Sequence, residues 1–88
     1  MAKGVVIEPA YVAKLISALQ QKLAQAEISH EHVTGDRYRF IVVSEQFNEM
    51  FHPDRQRIVW DIAEEALGKE LFKVSMILTL GTDDLPQD

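Results

Sequence analysis

The spacing of apolar residues changes along this chain of 88 residues, and that change constrains its fold most strongly. Apolar residues recur every three or four positions after Pro9, which predicts an amphipathic helix at about 9–26. The spacing then shortens to two, and β-branched and aromatic residues become frequent, which indicates strands at about 28–34 and 38–44. The turn sequence from Thr34 to Arg37 joins these strands and favours an antiparallel hairpin.

A second helix and a third strand complete the pattern. Glu45 to Phe51 is long enough for only a single turn. Pro53 suits the first turn of a helix, and Gly68 suits the position just beyond its end. Residues 71–80 alternate again, so a third strand follows there at the spacing of two that strands require. A helical crossover between the second and third strands favours parallel pairing of those two.

The economical arrangement is an α+β fold of two layers, with both helices on one face of a three-stranded mixed sheet. The other face of the sheet stays open to water or to a partner. One domain at 9–81 is expected, with a flexible N-terminus at 1–8 and an acidic flexible tail at 82–88. The predicted core residues are Val12, Leu15, Ile16, Leu19, Ile58, Ile62, Ala66, Val74 and Met76.

Composition excludes several classes of function. The chain has no cysteine, so thiol chemistry and disulfides within it are ruled out. A net charge of −5 argues against indiscriminate nucleic-acid binding, which depends on neutralising phosphates. No apolar run is long enough to cross a bilayer, and no signal-peptide core is visible, so a cytoplasmic location is expected. No catalytic pattern or phosphate-binding glycine loop occurs, so we expect no enzyme activity.

Two arginines stand in the first turn of the second helix. Helix N-termini carry partial positive charge, so Arg55 and Arg57 would each cost about 0.3–1 kcal/mol there. Such a conflict indicates a functional surface, where local rules are often broken. Alternatively, Asp54 and Asp61 neutralise the two arginines, and both interpretations remain open from spacing alone.

This region carries a resemblance to the BolA family. Five residues occupy the places of that family's signature without a gap: Phe47, Arg55, Arg57, Val59 and Trp60. The hairpin stretch 32–36 and the strand 41–44 are also similar, and the resemblance extends from about 10 to 80. It implies a fold similar to a type II KH domain. It also implies a non-enzymatic interaction module that acts in iron–sulfur or redox homeostasis with a monothiol glutaredoxin.

The departures from the signature concern the metal ligands. Gln56 replaces a histidine that the resemblance implies is an iron–sulfur ligand, and an amide is a poor ligand for that chemistry. Arg37 stands about where a second ligand is expected in the hairpin loop. His32 is its nearest substitute, and His30 should share its face of the strand. Glu49 replaces the signature glycine, so the short turn there must be built differently.

The expected docking surface combines the start of the second helix with the hairpin loop, and its residues are Arg37, Arg55, Gln56 and Arg57. Two histidines make half a metal site, so we expect no intrinsic cofactor. The expectation is instead a 2Fe-2S cluster shared with the glutaredoxin, which with glutathione supplies the thiolates. A KH-like nucleic-acid-binding transcriptional regulator is the alternative, and a weak homodimer through the open sheet face is a third reading.

Overall fold

The structure, a computed structural model, describes residues 8–86. The regular elements follow the predicted order, and they are α1 (Ala10–Lys22), β1 (Glu27–Thr34), β2 (Arg37–Val43), α2 (His52–Leu67) and β3 (Val74–Leu80). Short 3-10 turns occupy Glu45–Glu49, Gly68–Lys73 and Thr82–Asp84. The flexible segment predicted at 1–8 falls, except for Glu8, outside the described residues. Within the described range, no helix is long and apolar enough to span a bilayer.

The sheet has the predicted mixed topology. Its strand order is β1-β2-β3, with β1 antiparallel to β2 and β2 parallel to β3. The hairpin turn forces the first pairing, and the crossover through α2 produces the second. Both helices pack against one face of the sheet, which confirms the predicted α+β class.

The core lies between the helices and the inner face of the sheet. Four predicted core residues are buried there: Val12, Leu15, Leu19 and Val74. The other apolar side chains that fill it are Tyr11, Leu23, Tyr38, Phe40, Val42, Phe47, Val59, Ala63, Leu67 and Ile77. The remaining predictions on the helices are partly buried and pack at its margin: Ile16, Ile58, Ile62 and Ala66.

The prediction that Met76 lies in the core is wrong. The register between β2 and β3 shifts after Tyr38, which pairs with Val74, while Arg39 pairs with Met76. Ser75 is therefore an extra residue, and one extra residue moves every later side chain to the opposite face. Met76 is 44% exposed as a result, whereas Ile77 is buried on the inner face.

The C-terminal segment is also more ordered than predicted. Residues 82–84 form a 3-10 turn, and Asp84 is hydrogen-bonded to Arg55 of α2. The domain therefore extends beyond residue 81, because this turn is part of its hydrogen-bonded structure. Of the predicted flexible tail at 82–88, the last two residues lie outside the described range.

Candidate functional site

The residues predicted to bind a partner lie at opposite ends of the sheet. We call the end with the β1–β2 turn and the start of β3 the hairpin end, and the end where β2 finishes and α2 begins the crossover end. Arg37 starts β2 at the hairpin end, whereas Arg55 bonds the carbonyl of Met50 at the crossover end. β2 has seven residues, so it separates these ends by about 20 Å. The predicted residues do not form one surface.

Arg55 is an internal structural residue. Its Nε donates to Met50 O at 3.0 Å and its Nη1 donates to Asp84 Oδ2 at 2.7 Å. The side chain of Arg55 is only 12% exposed. Arg57, by contrast, is 72% exposed, and its Nη1 lies 4.0 Å from Asp54 Oδ1. An acid does neutralise Arg55, but that acid is Asp84 rather than a neighbour in α2.

The C-terminal turn is held by a set of contacts that we call the C-terminal clamp, comprising Asn48, Arg55, Gly81 and Thr82–Asp84. The Nδ2 of Asn48 donates to Thr82 Oγ1 at 2.8 Å, and its Oδ1 accepts from the backbone N–H of Asp83 at 2.9 Å. A Cβ added at Gly81 would lie 2.2 Å from Asn48 Oδ1 and 3.0 Å from its backbone N. Glycine at position 81 is therefore required by this close approach.

Asp84 completes the clamp as a carboxylate. Its Oδ2 accepts from the Gly81 backbone N–H at 2.8 Å as well as from Arg55. The Gly81 N–H, followed by the Arg55 guanidinium, stabilises the charged form, and the pKa of Asp84 is lowered below its usual value. At the crossover end, Arg55 and Asp84 are thus bonded to each other within the domain, whereas Arg57 is exposed.

Gln56 anchors α2 to β3. Its Nε2 donates to Ile77 O at 2.9 Å and to Thr79 Oγ1 at 3.1 Å, while its Oε1 accepts from Trp60 Nε1 at 3.0 Å. Both donors and the acceptor of the amide are engaged inside the domain. The side chain of this predicted partner-binding residue therefore faces β3.

The two candidate histidines lie together at the hairpin end. The rings of His30 and His32 flank Tyr38, with centroid distances of 5.8 Å and 5.1 Å respectively. They therefore share one face of β1, as the spacing of two predicts. His52 lies elsewhere, as the first residue of α2.

His32 has the hydrogen bonding of a prepared metal ligand. Its Nε2 lies 2.8 Å from Gly35 O. A carbonyl oxygen can only accept, so Nε2 carries a proton, and in the neutral imidazole Nδ1 then has the lone pair. Metal-binding histidines usually donate their second ring N–H to a carbonyl or carboxylate in this way. The imidazole of His32 is exposed on the hairpin, so this chain can offer Nδ1 to a metal centre.

His30 is more enclosed. Its Nε2 lies 2.7 Å from Glu8 Oε2, and its ring stacks on Phe40 with centroids 6.1 Å apart. No group of three or more His, Cys, Asp or Glu side chains that could hold a metal occurs among residues 8–86. The histidines of this chain could complete a shared metal centre, but they do not assemble a whole site.

Tyr11 ties the hairpin to the start of β3. Its hydroxyl lies 2.6 Å from Asp36 O and 3.1 Å from Lys73 O. Burial raises the pKa of Tyr11, so the hydroxyl stays protonated and can donate to these carbonyls. Lys73 adds ionic contacts to Glu70 at 3.2 Å and Asp36 at 3.6 Å, and the Glu70 contact raises the pKa of Lys73.

These contacts place an exposed aromatic beside the hairpin. Phe72 precedes Lys73 in the turn before β3, and its side chain is 71% exposed. The sequence pattern assigned Phe72 to the alternation of β3, so its role at the surface was not predicted. Its position directly before the residue bonded to Tyr11 brings it to the hairpin end with His32.

Solved structures of similar shape identify the fold. No protein-family model and no curated protein matches the sequence. BolA1 from Arabidopsis thaliana superposes with a TM-score of 0.72 at 23% identity, covering 91% of this chain and 100% of that one. The BolA domain of SufE1 from the same plant gives 0.69 at 17% identity, with coverage of 91% and 100%.

A third structure, a BolA-like hypothetical protein from Rickettsia prowazekii, gives a TM-score of 0.62 at 20% identity and covers 98% of this chain and 100% of that one. The protein is therefore a single α+β unit with the fold of BolA-like proteins along nearly its whole length. At these identities the likeness establishes the fold, and the predicted structural resemblance is confirmed.

Proposed function

We propose that this protein is a non-enzymatic BolA-like interaction module that acts with a monothiol glutaredoxin in iron–sulfur homeostasis. The observation that carries the proposal is the exposed His32 imidazole, whose Nε2 donates to Gly35 O and whose Nδ1 has no hydrogen-bond partner among residues 8–86. The BolA-like fold supports the same reading. Fold alone does not establish function, so the proposal rests chiefly on the histidine.

The proposed docking surface lies at the hairpin end. Two exposed apolar residues lie at this end: Val33, next to His32 in β1, and Phe72, in the turn before β3. Exposed aromatic residues of this kind often supply much of the binding energy in an interface. Arg37 belongs to the same end and remains a candidate contact. Arg57 lies at the far end of the sheet, so we expect little contribution from it.

A 2Fe-2S cluster fits the residues present only as a shared group. The chain has no cysteine, so His32 would supply one ligand while the glutaredoxin and glutathione supply thiolates. When bound, the cluster would supply the electron-transfer or cluster-transfer chemistry. The residues of this chain would fix the imidazole and exclude water, with Gly35 O holding the ring orientation.

The test is the visible absorption spectrum of the complex purified after co-expression with a monothiol glutaredoxin from the same organism. We expect a coloured complex whose bands shift or weaken in His32→Ala, because one iron loses its imidazole ligand. His52→Ala is the matched control, since it removes an exposed imidazole at the crossover end. It should leave the spectrum unchanged.

Two outcomes would contradict the proposal: a wild-type protein that forms no complex, or a His32→Ala complex with the wild-type spectrum. Gln56→His should create no new bands, because the side chain at position 56 faces Ile77 and Thr79. A new band in Gln56→His would show instead that a side chain at position 56 can reach the cluster.

The nucleic-acid alternative has less support from the geometry. Arg55 is bonded within the domain, and the Nε of Arg39 donates to Glu31 Oε1 at 2.6 Å. Arg37 and Arg57 lie at opposite ends of the sheet, so the arginines form no continuous basic surface. We expect little binding of DNA or RNA at physiological salt. A tight site weakened by Arg57→Ala and by added salt would favour the regulator instead.

A further inference from the structure

We propose that the uncovered face of the sheet is a docking surface for an amphipathic helix of a partner protein, with basic side chains along one flank of that helix. This inference is independent of the proposed function, because the histidines lie on the opposite, helix-covered face. The two surfaces could be occupied at the same time.

The uncovered face is polar along β1 and becomes apolar towards β3. The inward side chains of β2 are Phe40 and Val42, so Ile41 and Val43 point to the uncovered side. The register then places three rows across the face, namely Glu27–Val43–Leu80, Ser29–Ile41–Leu78 and Glu31–Arg39–Met76. The polar side chains therefore follow β1, and the apolar side chains follow β2 and β3.

The apolar part of this face is accessible. Met76 is 44% exposed and Leu78 is 39% exposed, and Ile41, which pairs with Leu78, is partly buried. The bulge at Ser75 creates this surface, because it turns Met76 and Leu78 outward. These apolar side chains adjoin the polar row along β1, so a partner that covers the face would contact apolar and polar groups together.

A strand added to β3, the edge beside the apolar side chains, is the wrong occupant, because a side chain blocks that edge. Leu80 O accepts from Ser44 N, so the carbonyl of Leu80 points towards β2. Successive carbonyls along a strand point to opposite sides, so Ile77 O, three residues earlier, points to the free edge. The Nε2 of Gln56 already donates to Ile77 O. An added strand would have to break that bond, which protects the edge from pairing.

A second copy of the chain is also a poor fit, because the face is small. Three strands about 4.8 Å apart and about 17 Å long give a face of roughly 240 Å². A stable interface buries about 800 Å² on each partner. One helix, about 10 Å wide, covers the available face with about three turns.

Charge selects the kind of helix. Arg39 on this face bonds Glu31. Glu27 is then the charged side chain of this face that has no oppositely charged partner among the described residues. The whole chain carries a net charge of −5. A helix with apolar residues over β2 and β3 and lysine or arginine over β1 complements both features.

The experiment uses isotope-labelled full-length protein and a synthetic leucine–lysine helix of about 15 residues, titrated by NMR. We expect saturable amide shifts centred on Ile41, Met76 and Leu78, which weaken as salt is added. A leucine–glutamate peptide of the same pattern should bind about tenfold more weakly or not at all. Leu78→Lys and, as a second variant, Met76→Lys should each abolish the shifts.

Phe51→Lys is the matched control, because Phe51 is a highly exposed apolar residue at the start of α2. It should bind the leucine–lysine peptide as the wild type does. Shifts that map to the helices, equal binding of the acidic peptide, or undiminished binding by Leu78→Lys would overturn the proposal. Self-association that Leu78→Lys abolishes would also overturn it, by identifying a second copy as the occupant.

Discussion

The two ends of the sheet use polar side chains in opposite ways. At the crossover end, Arg55, Asp84 and Asn48 bond to each other or to nearby backbone, and little of their hydrogen-bonding capacity faces a partner. At the hairpin end, Nε2 of His32 bonds Gly35 O, and Nδ1 has no hydrogen-bond partner within the described part of the chain. An arginine near a helix start is therefore weak support for a binding surface until its bonding is known.

The two ends of the sheet also differ in whether their polar side chains stabilise the fold or are available to a partner. The C-terminal clamp joins residues distant in sequence, so substitutions in it should lower the free energy of unfolding. The imidazole of His32 lies at an exposed turn, so its removal should weaken binding to a partner instead. If the two ends really differ in this way, substitutions at each end will affect different measurements.

Gly81→Ala should produce the largest loss of stability. The added methyl group would lie 2.2 Å from Asn48 Oδ1 and close to its backbone, so the clamp must move apart. We expect a loss of about 1–3 kcal/mol in the free energy of unfolding, the usual range for overpacking. Denaturant titration measures it, and a loss below about 0.5 kcal/mol would mean that the clamp yields easily.

Arg55→Ala should follow, with a loss of about 1.5 kcal/mol, because hydrogen bonds from its enclosed guanidinium are removed. Arg57→Ala is the matched control, being the exposed arginine two positions along α2. Its loss should stay within about 0.5 kcal/mol, since exposed ion pairs contribute little. Equal losses from the two arginines, measured by denaturant titration, would contradict the structural role assigned to Arg55.

Asp84→Asn should show a smaller effect that depends on pH. The folded pKa of Asp84 is lowered from 3.8, so the carboxylate contributes stability above that value. The contribution is lost as the pH falls through the lowered folded pKa. Melting temperatures measured against pH should therefore show a deficit for Asp84→Asn at neutral pH that closes in acid. A deficit that persists unchanged at the lowest pH would exclude the carboxylate charge as its cause.

His32→Ala should have the smallest effect on stability, within about 0.5 kcal/mol, because exposed substitutions away from the core rarely cost more. The same variant should have a large effect on the shared chromophore. Thermal unfolding of the isolated protein checks the first expectation. A clear drop in melting temperature would mean that His32 holds the hairpin rather than a partner's metal.

Local pattern accounts for much of the fold. The helix at the start of the chain, the hairpin turn and the crossover helix follow from apolar spacing and from Pro53 and Gly68, which act within a few residues. Because a helix must connect β2 to β3, parallel pairing follows as well. These are the parts of the structure in which neighbouring residues decide the outcome.

Long-range contacts decide what the sequence could not show. Asp84, the partner of Arg55, lies 29 positions away, whereas local spacing pointed to Asp54 or Asp61. Likewise, residues 74–80 have apolar side chains at odd as well as even positions. The alternation alone therefore cannot show that Ser75 forms a β-bulge. Only packing against the helices selects Ile77 rather than Met76 for the core.

The histidines were predictable in part. Their spacing placed both on one face of β1, and Gly35 is only three positions from His32. The free Nδ1 could not be predicted, because it depends on the ring orientation that the Gly35 carbonyl fixes. Phe72 was missed because a pattern of alternation gives no sign that the strand begins two residues later.

An NMR footprint of the monothiol glutaredoxin on this isotope-labelled protein tests the proposed docking surface most directly. We expect the largest amide shifts at the hairpin end, around His32, Gly35 and Phe72. Residues around Arg55 and Arg57 should be nearly unaffected. A footprint centred on the start of α2, with the hairpin end unchanged, would show that the glutaredoxin binds the arginine surface that the sequence first suggested.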